Sequence, residues 1–116
     1  MREILFRGKR ICDGEWVYGD LLHLPHGTAI LTNGYANVIP ETAGQYTGIK
    51  DKNGKKIFEG DITRHRSSYS GNMVIAVVKY EDGCFLAMPD KYSGFNLSDN
   101  IEVFGNIHDD IELLEG

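Results

Sequence analysis

The densest chemical signal in the chain is a run of lysines. Lys50, Lys52, Lys55 and Lys56 bracket Asn53-Gly54, and Tyr46 and Phe58 stand a few residues to either side. Ammonium groups on a hairpin tip can hold phosphates while neighbouring aromatic rings stack bases. The same lysines can equally guard a sheet edge against pairing. The net charge of −5 weighs against a general affinity for nucleic acid, which leaves a local patch. Gly54-Lys55-Lys56 lacks both the upstream glycine spacing and the Ser/Thr of a nucleotide-binding P-loop.

Histidines come next. His23 and His26 flank Pro25, and His65 and His108 lie far along the chain. Zinc needs three or four ligands, and no Cys-x-x-Cys or His-Glu-x-x-His accompanies them, so loop histidines are the expectation and no metal is assigned. Glu41, Glu59, Asp20 and Asp61 could supply an acid–base pair, and Asp20 and Asp61 with a histidine would make a hydrolase if one pocket joined them. Asp20 and Asp61 each follow a glycine, a position that turn hydrogen bonding explains as well. Nucleophile, base and orienting group never occur together at interpretable spacing, so the chain reads as non-enzymatic and without a cofactor. Cys12 and Cys84 each adjoin an Asp-Gly turn and read as small turn-flanking residues in a reducing compartment, not as a redox pair.

The elements that must position these groups are short and glycine-punctuated. Fourteen glycines among brief apolar segments argue for β structure throughout, because glycine weakens helices and serves turns and bulges. Residues 38–62 organise the rest as strand, turn, strand, turn, strand. Asn53-Gly54 predicts a type I′ hairpin turn, whose two central residues both need positive φ. Residues 4–7 and 9–12 form an opening strand bent at Gly8, turned by Asp13-Gly14 into an aromatic-rich return over 16–22. Short strands follow over 28–32 and 35–39 around Asn33-Gly34, and Pro40 ends that pairing or confines it to an edge. Residues 66–72 and 89–100 are polar loops, the second with Tyr92 and Phe95 as anchors. The Val-Ile-Ala-Val-Val run at 74–78 predicts a strand buried on both faces. Residues 101–107 give a closing strand, and Asp109-Asp110 can cap one helical turn through Leu114. The sum is a mainly β protein: a small closed, barrel-like antiparallel sheet of short strands and hairpins, SH3-like or related, with at most a short helical turn.

A chain of 116 residues reads as a single domain spanning 1–116, able to bury a core without staples. It holds no apolar run of membrane-spanning length, and its charged opening is not that of a signal peptide, so no membrane is a partner and a cytoplasmic location is expected. Charge is uneven. Residues 1–79 carry eleven Lys/Arg and eight Asp/Glu, while residues 80–116 carry one lysine and nine acidic residues. This reads as differently charged solvated faces, or as the basis of head-to-tail association between copies.

Residues 39–62, from Ile39-Pro40-Glu41-Thr42-Ala43-Gly44-Gln45-Tyr46-Thr47-Gly48 through Asn53-Gly54 to Glu59-Gly60-Asp61-Ile62, resemble the YopX family of bacteriophage and prophage proteins. The opening Ile4-Leu5-Phe6-Arg7-Gly8-Lys9 and Gly14-Glu15-Trp16-Val17-Tyr18-Gly19, together with Val78-Lys79-Tyr80-Glu81-Asp82-Gly83 and Glu102-Val103-Phe104-Gly105-Asn106, are similar to the family's flanking signatures. Departures lie in the loops at 23–35, 64–72 and 88–99. The resemblance implies a small, mostly β, phage-encoded protein in a bacterial host cell and carries over no catalytic role. The reading is therefore a non-enzymatic accessory module that self-associates as a homo-oligomer or docks a host or phage protein. The competing reading is a nucleic-acid-binding small barrel that uses Lys50, Lys52, Lys55, Lys56 and Tyr46.

Overall fold

The computed structural model describes residues 3–114. The chain divides into two compact units, residues 1–48 and residues 49–116. Each is antiparallel β structure, in keeping with the glycine-broken short segments.

The first unit is built from β1 (Phe6–Lys9), β2 (Trp16–Leu24), β3 (Gly27–Thr32), β4 (Gly34–Val38) and β5 (Gly44–Lys50), in the spatial order β4-β3-β2-β1-β5. Its meander follows from local chemistry. Asp13-Gly14 turns β1 into β2, with Gly14 at φ +74° and the Asp13 carboxylate accepting from the Glu15 amide at 3.0 Å. Cross-strand partners share a face. The register Leu21↔Ile30↔Ala36 therefore puts Ile30 and, by alternation, Val38 on the inward side, and both are buried. The register Asp20↔Leu31↔Tyr35 sets the opposite face, where Tyr18, Leu31 and Tyr35 are exposed.

Two expectations fail here for identifiable reasons. Gly8 is not a bend, since β1 pairs through it without a break, Gly8 opposite Val17. Its lack of a side chain instead admits Val38, whose Cβ would lie 3.0 Å from an added Cβ. Nor does the sheet close into a barrel. The end of β1 touches the end of β4 at one corner, through an Arg10↔Val38 bridge, Ile11 N–H to Asn37 O at 3.0 Å and Ile39 N–H to Lys9 O at 2.9 Å. Along Phe6 and Arg7 the same edge of β1 is taken by β5, which pairs at Gln45 and Gly44. Only the last residues of β1 remain for β4, so the sheet stays open. Pro40, expected to end the pairing, opens a single 3₁₀ turn, Pro40–Thr42, as its fixed φ favours.

The second unit begins within β5, beside whose end lies β6 (Lys56–Phe58). Five further strands form a sheet in the order β10-β9-β8-β7-β11: β7 (Asp61–Arg66), β8 (Met73–Glu81), β9 (Cys84–Met88), β10 (Phe95–Asn96) and β11 (Glu102–Asn106). Its core gathers Ile57, Ala76, Val78, Ala87, Leu97, Ile101 and Val103, with Ile49, Phe85 and Phe95 packed around them. Each fully buried aliphatic side chain contributes about 1.5–3 kcal/mol.

β8 is not buried on both faces. Ala76 and Val78 point inward, while Met73 and Ile75 are exposed, so the apolar run reports one buried face and an apolar outer one. The type I′ turn occurs at Asp82-Gly83, where φ is +50° and +83° and Glu81 pairs with Cys84, and not at Asn53-Gly54. Within 89–100, Phe95 anchors the loop to the core as expected, but Tyr92 is exposed. A short 3₁₀ turn, Ile111–Leu114, follows β11.

Candidate functional site

The lysine hairpin is organised by Asp51, a residue the lysines overshadow in the sequence. Asp51 is 4% exposed. Its Oδ1 accepts from the amides of Asn53 at 2.8 Å and Lys55 at 2.9 Å, and its Oδ2 accepts from Val103 of β11 at 2.9 Å. The Gly54 amide closes the turn on Asp51 O at 3.0 Å, and Gly54 alone carries positive φ, at +80°. The loop is thus a four-residue turn, residues 51–54, whose last residue is the left-handed glycine, and the Asp51 carboxylate supplies the local acceptor that favours it. Burial pushes the Asp51 carboxyl up. The N–H groups of Val103, Lys55 and Asn53, with the Lys55 ammonium, outweigh that and hold it below its ordinary 3.8.

Around this clamp Lys50, Lys52 and Lys55 are exposed and Lys56 is half-buried. The Lys52 amide donates to Ile101 O at 3.0 Å, which joins the tip to the start of β11. Glu102 is held below its usual range by the Arg64 guanidinium, which donates to it at 2.6 Å, with Lys52 and Asn53 adding to the effect. The basic tip and the acidic end of the chain are therefore partly matched within this unit. The aromatic half of the expected nucleic-acid contact is absent from the surface: Tyr46 is 6% exposed and Phe58 4%, because both face inward along their strands. Neither ring offers a face to a base.

Asp61 is buried, and its Oδ2 accepts from the Phe58 amide at 2.7 Å across the Glu59-Gly60 turn. Asp20 is exposed on β2. His23 and His26 are exposed near the β2–β3 turn, and His65 on β7 packs edge-on against Phe95 at 4.9 Å between centroids. Among the described residues no three His, Cys, Asp or Glu side chains assemble as a metal would require. Nor, among the described residues, is any helix long and apolar enough to cross a membrane. Cys12 and Cys84 are exposed free thiols.

Several concave surfaces escaped the sequence reading. One, in the first unit, is a cleft of about 460 Å³ walled by Arg10, Ile11, Cys12, Val17, Tyr35 and Asn37, beside the edge of β4. In the second unit a groove of about 340 Å³ runs along Ile75, Val77, Met88 and Leu114, and a smaller cleft of about 200 Å³ includes His65, Arg66, Tyr69, Phe95, Asn96 and Asn100. The only sequence signal for the two clefts was the polar, small-residue character of the loops around them.

Two open antiparallel sheets of short strands, joined by tight glycine turns, define an all-β protein with surface clefts. The chain belongs to the YopX family: the model of that family, described as YopX protein, matches residues 5–115. The fold is also similar to the crystal structure of protein EF1440 from Enterococcus faecalis, with a TM-score of 0.62 and 24% identity, covering 98% of this chain and 99% of that one. At that identity the likeness establishes fold alone. No curated protein matches the chain.

Proposed function

We propose that this chain is a non-enzymatic binding protein, phage-encoded as its family suggests, that associates with a second copy of itself through the β4 edge of the first unit. The observation that carries this reading is the state of that edge. Strand β4 reads Gly-Tyr-Ala-Asn-Val, with no charge and no proline to guard it. Asn37 O accepts from Ile11, so the polar groups of Asn37 point away from β3, and by alternation those of Tyr35 do too. Tyr35 is 59% exposed, Ile11 63% and Leu31 42%.

Antiparallel pairing of β4 with its own copy has twofold symmetry built in, so one patch serves as both partners. Centred on Tyr35, it pairs the two tyrosines directly and extends the exposed Leu31–Tyr35 row across the axis. The Ile11 contact at Asn37 limits the new ladder to its first residues, so the contact is short and the affinity modest.

Light scattering over a concentration series at physiological salt tests this. The expected result is a dimer mass at high concentration. Tyr35→Lys, which adds charge at an exposed position without touching the inward face, should return the monomer with an unchanged far-UV spectrum. A monomer throughout, or a dimer indifferent to Tyr35→Lys, overturns the proposal.

A further inference from the structure

We infer that the second unit carries a site for a nucleotide, seated in the cleft between the 67–72 loop and the segment that joins β10 to β11. Three observations in that unit converge on it. The lining combines aromatic rings with neutral hydrogen-bonding groups and one cation. Phe95 and His65 meet edge to face, and Ser67, Ser68, Asn96, Ser98 and Asn100 line the cleft with Arg66. No carboxylate lines it, although residues 80–116 carry nine acidic residues. A base needs a π-surface and several donors and acceptors for its edge, and its phosphate excludes acidic neighbours.

Tyr69 stands on the rim at 97% exposure. A phenol ring left in water at the mouth of a cleft gains from a planar ligand that covers it. Its loop is shaped by Ser67, whose Oγ accepts from the Tyr69 amide at 3.2 Å, and is tied to β7 by Arg66, which donates to Gly71 O at 2.6 Å.

The lysine hairpin then finds its role. Ile101 forms part of the cleft wall, and the Lys52 amide donates to Ile101 O at 3.0 Å. Lys52 is exposed next to that wall, where an ammonium on a flexible stem would pair with a phosphate attached to a base in the cleft. The carboxylate that feels the Lys52 charge, Glu102, is already taken up by Arg64. The cleft is of the size of one base with its sugar, which fits a single nucleotide or one unit of a single strand, and not a duplex.

Amide chemical-shift titration with adenosine monophosphate, uridine monophosphate, a short oligothymidine and a duplex of equal length tests this. Shifts at Ser68, Tyr69, Asn96 and Asn100 with a mononucleotide support the site and assign it to free nucleotides. Shifts there with the single strand alone support it and assign it to strands. Tyr69→Ala should weaken the supporting interaction about tenfold, the loss typical of one stacked base. That ring is too exposed to matter for folding. Lys52→Glu should weaken binding and flatten its salt dependence. Silence of the cleft amides with every probe overturns the inference. So does indifference to Tyr69→Ala, or duplex binding as tight as single-strand binding. These outcomes are independent of β4 self-association, which Tyr35→Lys reads in the other unit.

Discussion

Replacing Asp51 by asparagine tests the physical centre of the second unit. The carboxylate has two oxygens and three amide partners, in two directions: Asn53 and Lys55 on Oδ1, Val103 on Oδ2. Asparagine brings one oxygen. If that oxygen stays on the turn, the side-chain NH₂ faces the Val103 N–H, donor against donor, in a buried place. If it flips, both turn amides lose their acceptor. The first arrangement leaves one buried N–H unpaired, about 1–3 kcal/mol, and reduces two charge-assisted bonds to neutral ones, about 0.5–1 kcal/mol each. The sum is about 3 kcal/mol, a large share of the total stability of a domain this size. With a urea m-value of about 1.5 kcal/mol/M, the midpoint falls by about 2 M. Amide exchange at Val103 should rise by about two orders of magnitude, reading the same loss locally.

The pH dependence follows in sign from the depressed carboxyl. Its folded pKa lies below 3.8, so the stabilisation is fully present above the unfolded value and is lost as pH falls through the folded one. The gap between the native protein and Asp51→Asn should stay constant from neutral pH down to about pH 5 and then close below 3.8. A gap under about 1 kcal/mol at neutral pH, or one that does not close in acid, refutes the account of Asp51 as a charged clamp.

Two glycine substitutions separate steric from conformational necessity. A Cβ on Gly19 would lie 1.9 Å from Leu31 O, a backbone atom that cannot swing aside, so Gly19→Ala should unfold the first unit, read by Trp16 fluorescence. Survival of a native spectrum in that variant would show that β2 and β3 are less tightly crossed than described. Around Gly54 an added Cβ meets nothing, but φ is +80°, so Gly54→Ala should cost only about 1 kcal/mol, as backbone strain, with the fold intact by far-UV circular dichroism.

Much of the fold was legible because turn chemistry is local. Asp13-Gly14 and Asp82-Gly83 mark hairpins through residues that need no tertiary information, and the strands between them follow. Closure was not legible, because it depends on a competition for one edge of β1. The sequence shows that β4 and β5 exist, but not that β5 takes Phe6 and Arg7 and leaves β4 a single corner. One-sided burial of β8 was hidden for a similar reason. Met73 and Ile75 are as apolar as Val78, and only the packing partner decides which face is wet. On the surface, proximity in sequence did not report which rings are exposed. Tyr46 and Phe58 are adjacent in sequence to the tip yet inward by strand alternation, while Tyr69 and Phe95, distant in sequence, share a cleft.

The stretch that carries the family resemblance, residues 39–62, is accounted for almost wholly by scaffold. Pro40 starts the turn into β5, Asp51 clamps the hairpin to β11, Gly60 accepts from Ile107 and donates to Val78, and Asp61 holds the Phe58 amide. Of the residues offered to partners here, Lys52 lies inside it, on the hairpin that Asp51 clamps, while Tyr35, Tyr69, Phe95 and Asn96 lie outside it. A scaffold whose hydrogen bonds are satisfied from within can keep its shape while the loops it holds change composition. The residues that carry the resemblance therefore serve chiefly to hold the fold of this chain. The two binding proposals rest on β4 and on the loops of the second unit, where Tyr35 and Tyr69 are exposed beside clefts.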